Sequence, residues 1–513
     1  MDKVKSVLRN RVFIYVLLFL FSIFLASCCV DYDYDLYARF IVGENFFEKG
    51  VFNYRDFLSY TPTHPWYDHE YGASLVFYLF HKYLGAFGLV LIQATLMFLT
   101  AFFIIKTQQI QRHAYPVSVL LMAFFLFLFS HQNPNIVRCH MFSFVFFAMF
   151  LYFLEKTRIS NLKNQTTKIL WLVPLLTILW NNIHGGVVAG LGIIFIYMVG
   201  AIVTKQKWKQ YFQVLVVSTP LLIINPYGPQ YIEFLVSANT KTRTMITEWW
   251  DVFAPRHILY YFPLFFVGLF GIILKIFDFI DTKKVNVIKF LMLFVTLYMG
   301  TIHVKLLSLP IITLFALYHN DITRLFSRKK YKIMELLTYV CIFVAIVCIP
   351  FKKPMEYRTN FVKFPVKEVE FIKINDIKGN ILTEFGLGSY VAYKLYPDNL
   401  IYMDGRYEEV YDDTVFDDLM NFEKKENDWE KAIRDYPTEI ILLHRTSPIY
   451  ATLEDYQGWT QIYQGDNCGV FVKNAKLKPH YTAPSDDEEY YKNSEFTNKG
   501  FFGKSEIKEN NGR

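Results

Sequence analysis

Acidic residues alternate with tyrosines in Asp31-Tyr32-Asp33-Tyr34-Asp35, directly after an apolar stretch, Val12–Val30, of membrane-crossing length. A carboxylate at that depth, facing a cavity, can take a proton from an attacking hydroxyl or bind a metal. The local alternative is that Asp35 caps a helix beginning at Leu36 and pairs with Arg39 one turn on. The two roles can coincide. A second cluster follows in Asp56-Phe57-Leu58-Ser59-Tyr60-Thr61 and Pro65-Trp66-Tyr67-Asp68-His69-Glu70. Asp68, His69 and Glu70 are consecutive groups that could hold a substrate or an ion. Acids are equally favoured in the first turn of a helix, and Trp66 and Tyr67 suit a membrane interface.

A third set is scattered along the chain at the ends of apolar segments: Asn135 and Arg138, Asn181, Asn182 and His184, Asn225 and Tyr227, Glu248, and His303 with Lys305. Charge near bilayer depth is costly, so such groups usually face protein or a cavity. Arg138, His184, His303 and Lys305 together would suit a phosphate or pyrophosphate. Taken singly, each could snorkel to the interface or end a helix; their gathering at one face is what favours binding. Further on stand Gly386-Leu387-Gly388-Ser389-Tyr390 and Met403-Asp404-Gly405-Arg406-Tyr407. The first lacks the Lys-Ser/Thr of a phosphate loop. Asp404-Gly405 is first of all a turn, from which Arg406 could reach back towards the membrane site. No nucleophile elbow, P-loop, HExxH or dinucleotide fingerprint occurs.

The elements that must position these groups are mostly membrane helices. The chain has 513 residues, of which 53% are apolar and 19% charged, with a mean hydropathy of +0.23. A soluble protein of this size carries more charge. The apolar residues form blocks at 12–30, 86–105, 114–131, 140–154, 211–225, 258–277 and 333–351, with two longer ones at 169–203 and 290–318. The longer blocks are interrupted by Asn181-Asn182-Ile183-His184-Gly185-Gly186 and Thr301-Ile302-His303-Val304-Lys305. If each is a hairpin, the basic loops, including Lys205, Lys207 and Lys209 and Lys283 and Lys284, share one side with Lys3, Lys5, Arg9, Arg11, Lys106 and Arg112. If each is a single helix, the loops at 204–210 and 278–286 carry their lysines outside, against the positive-inside rule. The expectation is therefore about eleven spans with a cytoplasmic N-terminus.

The net charge of +7 thus reflects orientation in the bilayer rather than nucleic-acid binding. The six cysteines show no metal or disulfide spacing. Adjacent Cys28 and Cys29 follow a stretch too long for a signal peptide, which reads as an uncleaved first span. The expected organisation is a polytopic membrane domain over 1–351, including an extracytoplasmic loop at 31–85, then an extracytoplasmic α/β domain at 352–475 and a disordered polar tail at 476–513. Within the loop, Leu36–Phe47 and Glu70–Leu84 read as helices. In the C-terminal domain Val366–Lys373 reads as a helix, and Asn380–Glu384, Leu400–Asp404, Glu439–His444, Thr460–Tyr463 and Gly469–Lys473 as strands.

From Asp35 onward the sequence resembles the GT-C superfamily of polytopic glycosyltransferases, closest to its protein-mannosyltransferase-like and aminoarabinose-transferase-like members. In those an Asp after the first span precedes a juxtamembrane helix and a Gly, with a second interfacial helix later in the loop. Asp35, Leu36–Lys49, Gly50 and Glu70–Leu84 follow in that order. The chain also resembles a group of bacterial membrane proteins within that superfamily. The shared features are Asp33-x-Asp35-Leu36, Gly43, Gly50, Asp56 to Thr61, Trp66 with Asp68-His69-Glu70, Asn182 with His184-Gly185, Asn225-Pro226-Tyr227-Gly228, Glu248-Trp249 and Asp404-Gly405-Arg406. Many superfamily members have Asp-Glu where this chain has Asp35-Leu36, which leaves open whether Asp33 or Glu70 supplies a second carboxylate.

The resemblance implies transfer of a sugar, with inversion, from a polyprenyl-phosphate-linked donor to an extracytoplasmic acceptor. Asp35 would be the general base and Asp33 its assistant; a divalent cation, if one binds, would sit on Asp33, Asp35 or Glu70. Arg138, His184, His303 or Lys305 would hold the lipid phosphate, and Asp68, His69, Glu70, Asn182 and Glu248 would complete substrate binding. The readings that compete are a transporter or lipid flippase, for which broken helices are the usual sign, and a non-catalytic envelope assembly protein.

Overall fold

The computed structural model describes residues 11–485 apart from 29–31, 51, 53, 112–118, 133–136, 242, 244–245, 256, 283–285, 325–327 and 353–361. Lys3, Lys5, Arg9, Asp31, Arg112, Asn135, Lys283, Lys284 and the tail after 485 lie outside the described residues. The chain is mostly helical with one small mixed sheet, and it divides into two compact units. One unit joins Met1–Val30 to Leu89–Pro354; the other joins Asp31–Gly88 to Met355–Arg513.

In the first unit a helix lies in each expected apolar segment, including Arg11–Ser27, Val119–Gln132, His140–Leu162, Val187–Val203, Lys209–Ser218, Ile258–Thr282 and Arg328–Val347. By length and composition, Tyr71–Ile110 is the one helix among the described residues sufficient to cross a membrane; the other apolar helices so described are shorter. Its continuity is broken at Gly85 (φ 58°, ψ −142°), a backbone conformation that a side chain would oppose. The span expected at 86–105 thus begins at a real break.

Both interrupted blocks fold back on themselves. Leu172–Ile183 and Val187–Val203 are separated by His184 in extended conformation. Gly190 then packs against the Trp180 ring, a contact out of reach across ten residues of straight helix, about 15 Å. In the second block Gly271 meets both Leu293 and Leu314, while one turn away Gly268 meets both Leu297 and Pro310. Because 293 to 297 ascends as 314 to 310 descends, Val287–Ile302 and Ser308–Leu317 are antiparallel.

In the second unit the sheet has order β1-β2-β4-β3, where β1 is Ile381–Thr383, β2 Ile440–His444, β3 Trp459–Gln464 and β4 Cys468–Lys473. β1 and β2 are parallel and the other pairs antiparallel. β1, β2 and β4 are almost wholly buried, as their continuous apolar runs require. The strand expected at Leu400–Asp404 is not formed: Ile401 alone makes bridges, to Ile381 on one side and Ser59 on the other. This brings the 31–85 loop into the C-terminal sheet, so the loop is compact with the C-terminal region, whereas its sequence position suggested the membrane domain. Tyr60 N–H donates to Ile401 O (3.1 Å), Ile401 N–H to Leu58 O (2.9 Å) and His64 N–H to Val410 O (3.0 Å). Residues 481 and 482, expected to belong to the polar tail, are bonded to the α/β domain. Tyr481 packs on Phe371, and Asn375 exchanges hydrogen bonds with the Thr482 backbone at 2.7 and 2.8 Å.

Candidate functional site

The second unit gathers the acidic loop residues around two buried arginines. Leu36–Lys49 is an apolar-faced helix closed by Gly50 in the left-handed conformation (φ 69°), as the glycine after it led one to expect. Asp35 stands at its N-cap position, but its side chain makes no capping bond. Asp33 is buried and its Oδ1 accepts from Tyr34 N–H at 2.9 Å. Tyr34 is held by Lys363, whose Nζ lies 4.0 Å from the ring centroid and also donates to Tyr32 O at 2.9 Å.

One turn along the helix, buried Arg39 donates to Asp68 Oδ1 at 2.8 Å and faces Glu70 at 3.4 Å and Glu409 at 3.9 Å. Glu409 also pairs with His69 Nδ1 at 2.8 Å and accepts from Trp66 Nε1 at 2.9 Å. Asp68 keeps the capping role as well, accepting Glu70 N–H at 2.8 Å. Burial lifts the Asp68 carboxyl to about 6 against the pull of Arg39, with Glu409 and Glu70 pushing the same way. Burial alone would discharge His69, but the Glu409 carboxylate outweighs it and raises the imidazole to about 9. Glu409 is itself opposed by burial and held low by His69 and Arg39.

The second arginine, Arg406, has no exposed side-chain surface. Its Nε reaches Asp404 Oδ1 and Oδ2 at 2.8 and 2.9 Å, Nη1 pairs with Asp56, Nη2 donates to Tyr411 OH at 3.1 Å, and the guanidinium lies over Trp66 at 4.7 Å. Asp56 in turn accepts Leu58 and Ser59 N–H. Arg406 therefore does not reach for a ligand; it rivets the 56–66 loop to the C-terminal segment. The carboxylates that the resemblance offers to a cation are partly committed, since Asp33 Oδ1 accepts a backbone N–H and Glu70 faces Arg39.

The first unit builds a cationic cluster. Glu248 pairs with Arg138 and accepts from Lys305 Nζ at 3.2 Å. Burial works to raise Glu248, yet Arg138 and then Lys305 hold it well below the usual carboxylate range. Lys305 also lies 5.2 Å from the Trp249 ring, over which Arg243 stacks at 4.1 Å. His303 Nδ1 is 2.7 Å from Trp249 O. Arg138, Lys305 and, through the Trp249 ring, Arg243 thus gather around Glu248, and cations grouped in this way suit an anionic ligand. His184 is buried nearby in sequence order of the same unit; its Nδ1 accepts from Gly186 N–H at 2.9 Å and lies 2.8 Å from Ser143 Oγ, which Trp180 Nε1 also reaches at 2.7 Å. The neutral ring accordingly carries its proton on Nε2. His140 lies within electrostatic reach of Arg138, Lys305, Glu248 and His184.

Asn182 is the predicted residue with the most structural employment. Its Nδ2 donates to Ile178 O and Ile224 O, both at 2.7 Å, tying the hairpin to the following turn. Sequence reading missed Glu409, Arg243, His140 and Ser143. Glu409 carries no local signal, its partners Arg39, Trp66 and His69 lying far away in the chain; Arg243 lies in a polar stretch with nothing to single it out.

No protein-family model matches the chain, and no curated protein matches it in sequence. Among solved structures it is similar to the Archaeoglobus fulgidus oligosaccharyltransferase in the apo form. The TM-score is 0.56 over 84% of this chain and 69% of that one, at 11% identity. At that identity the likeness is one of fold: this chain has an oligosaccharyltransferase-like architecture, a helical unit combined with a small mixed sheet.

Proposed function

We propose that the protein is a membrane glycosyltransferase that moves a sugar from a polyprenyl-phosphate-linked donor to an extracytoplasmic acceptor with inversion. The observation that carries this is a fold like that of an oligosaccharyltransferase, in a chain that sets Asp35 at the head of the Leu36–Lys49 helix, against the turn at Gly405. Asp35 takes the proton of the acceptor hydroxyl as that oxygen attacks the anomeric carbon. The bond from anomeric carbon to phosphate oxygen breaks on the opposite face, and the lipid phosphate leaves with the electron pair. Arg138, Lys305, His303 and His184 offset the charge that develops on it. Asp33 and the Arg39–Asp68–Glu70–His69–Glu409 group shape the acceptor side. Eleven spans, a cytoplasmic N-terminus and an outer position for 31–85 and the C-terminal region complete the proposal.

The test is Asp35→Asn, expected to lower surface-glycan synthesis by on the order of 10²–10⁴-fold, the usual contribution of a general base, at unchanged protein level. Incorporation of labelled sugar at the wild-type rate would exclude the base and leave the flippase or scaffold reading.

A further inference from the structure

The Asp404-Gly405-Arg406 turn is held far more firmly than a surface turn needs. Arg406 is bonded to Asp404, Asp56 and Tyr411 and is fully buried. Ser389 Oγ reaches Asp404 Oδ2 at 3.4 Å. Behind the turn stands Gly388, where any side chain would run into the Met403 carbonyl and the Asp404 backbone. In front of it stands Asp35: a methyl group added at Gly405 would collide with Asp35 Oδ1. The backbone of Gly405 lies outside the left-handed region, so its lack of a side chain answers to the space Asp35 occupies rather than to φ.

We propose that this turn is the wall against which the Asp35 carboxylate is set, with Gly405 and Arg406 as positioning residues. Gly405 leaves the room that the carboxylate fills, and Arg406 acts only through Gly405. The Gly386-Leu387-Gly388-Ser389 stretch then has a mechanical purpose: Gly388 admits the turn, and Gly386 lies against the Tyr34 ring. The C-terminal region is by this account part of the site, since it sets the base. The inference rests on the reading of Asp35 as that base. A near-attack geometry misplaced by an ångström forfeits on the order of 10²-fold in rate, so the wall has consequences.

Gly405→Ala is a fair probe because the atom it meets is the end of a side chain, so the carboxylate gives way before the backbone does. Full-length protein in native membranes is treated with a carbodiimide and glycine ethyl ester, and coupling at Asp35 is read by mass spectrometry against exposed Asp412. Gly405→Ala should change coupling at Asp35 several-fold and leave Asp412 unchanged, while labelled-sugar incorporation drops on the order of 10²-fold. Equal coupling at Asp35 in both proteins overturns the wall, whatever the activity. Changed coupling combined with full activity of Asp35→Asn would sink the base reading and leave the wall standing. If Gly405→Ala fails to accumulate, Asp35→Glu serves instead. Its longer side chain meets the same backbone and should be as inactive as Asp35→Asn, and retained activity overturns the proposal.

Discussion

Arg39 and Arg406 show how the same residue type serves two ends. Both are buried, and both face several carboxylates. Around Arg406 every partner is buried with it, which is the pattern of a rivet. Removing one member of a buried ionic group typically costs about 3–5 kcal/mol, because the others are left charged and unpaired. Arg406→Met should accordingly lower the thermal unfolding midpoint of the purified full-length protein markedly, and a midpoint equal to wild type would contradict the pairing. Around Arg39 the partner Glu70, and His69, which pairs with Glu409, are partly open, at 21% and 23% side-chain exposure. His69→Ala should therefore cost little stability and act mainly on surface-glycan synthesis, the reverse of Arg406→Met. The sequence makes Asp68, His69 and Glu70 conspicuous by adjacency. It hides Glu409, whose partners lie hundreds of residues away.

At the scale of elements, what could be read was set by periodicity and what could not by pairing. β1, β2, β3 and β4 were legible as short apolar runs between turn residues. Leu400–Asp404 has the same composition, yet only Ile401 is paired, because the 58–60 segment of the loop takes the neighbouring position. The helix Asp413–Lys424 is amphipathic but opens and closes with charge, and it escaped notice. The ends of the parallel strands β1 and β2 carry Glu384 and His444, paired at 2.6 Å, with the imidazole also bonded to the Lys363 backbone. This staples the segment that holds Tyr34. The Glu384 hydrogen bond raises His444 above its ordinary value, burial opposing. A raised folded-state value means that the staple's stability is fully present below about 6.5, the unfolded reference. It is lost as pH rises through the higher folded value. Hydrogen-exchange protection of residues 362–364, corrected for intrinsic rates, should fall as pH is raised past neutrality. In Glu384→Gln it should be low throughout and nearly independent of pH; an unchanged pH response there would exclude the pair as its source.

The whole molecule constrains the topology in a way that no single segment does. In the proposed membrane orientation 31–88 and 355–513, which form one compact unit, share a side, so the chain between them crosses an even number of times. Splitting one long block but not the other gives an odd number and is excluded; splitting both or neither remains. The fold-backs at Gly190 and at Gly268 and Gly271 favour splitting both. So does the sorting of polar groups within the first unit. Arg138, Glu248, His303 and Lys305 form one cluster. Glu155, Arg158, Gln111, Tyr197 and Lys289 form another, joined at 2.6–3.3 Å. With both blocks split, every member of the first lies at an expected outer helix end and every member of the second at an inner one. With neither split, Tyr197 falls in the outer half of one long helix while Glu155, its partner, stays inside. In a chain whose six cysteines are replaced by serine, one cysteine introduced at Lys207 should then resist a membrane-impermeant maleimide applied to intact cells, and one at Asp412 should react. Reaction at both positions would mean that the blocks cross singly, and the two polar clusters would then have to lie at heights in the bilayer that their hydrogen bonds forbid.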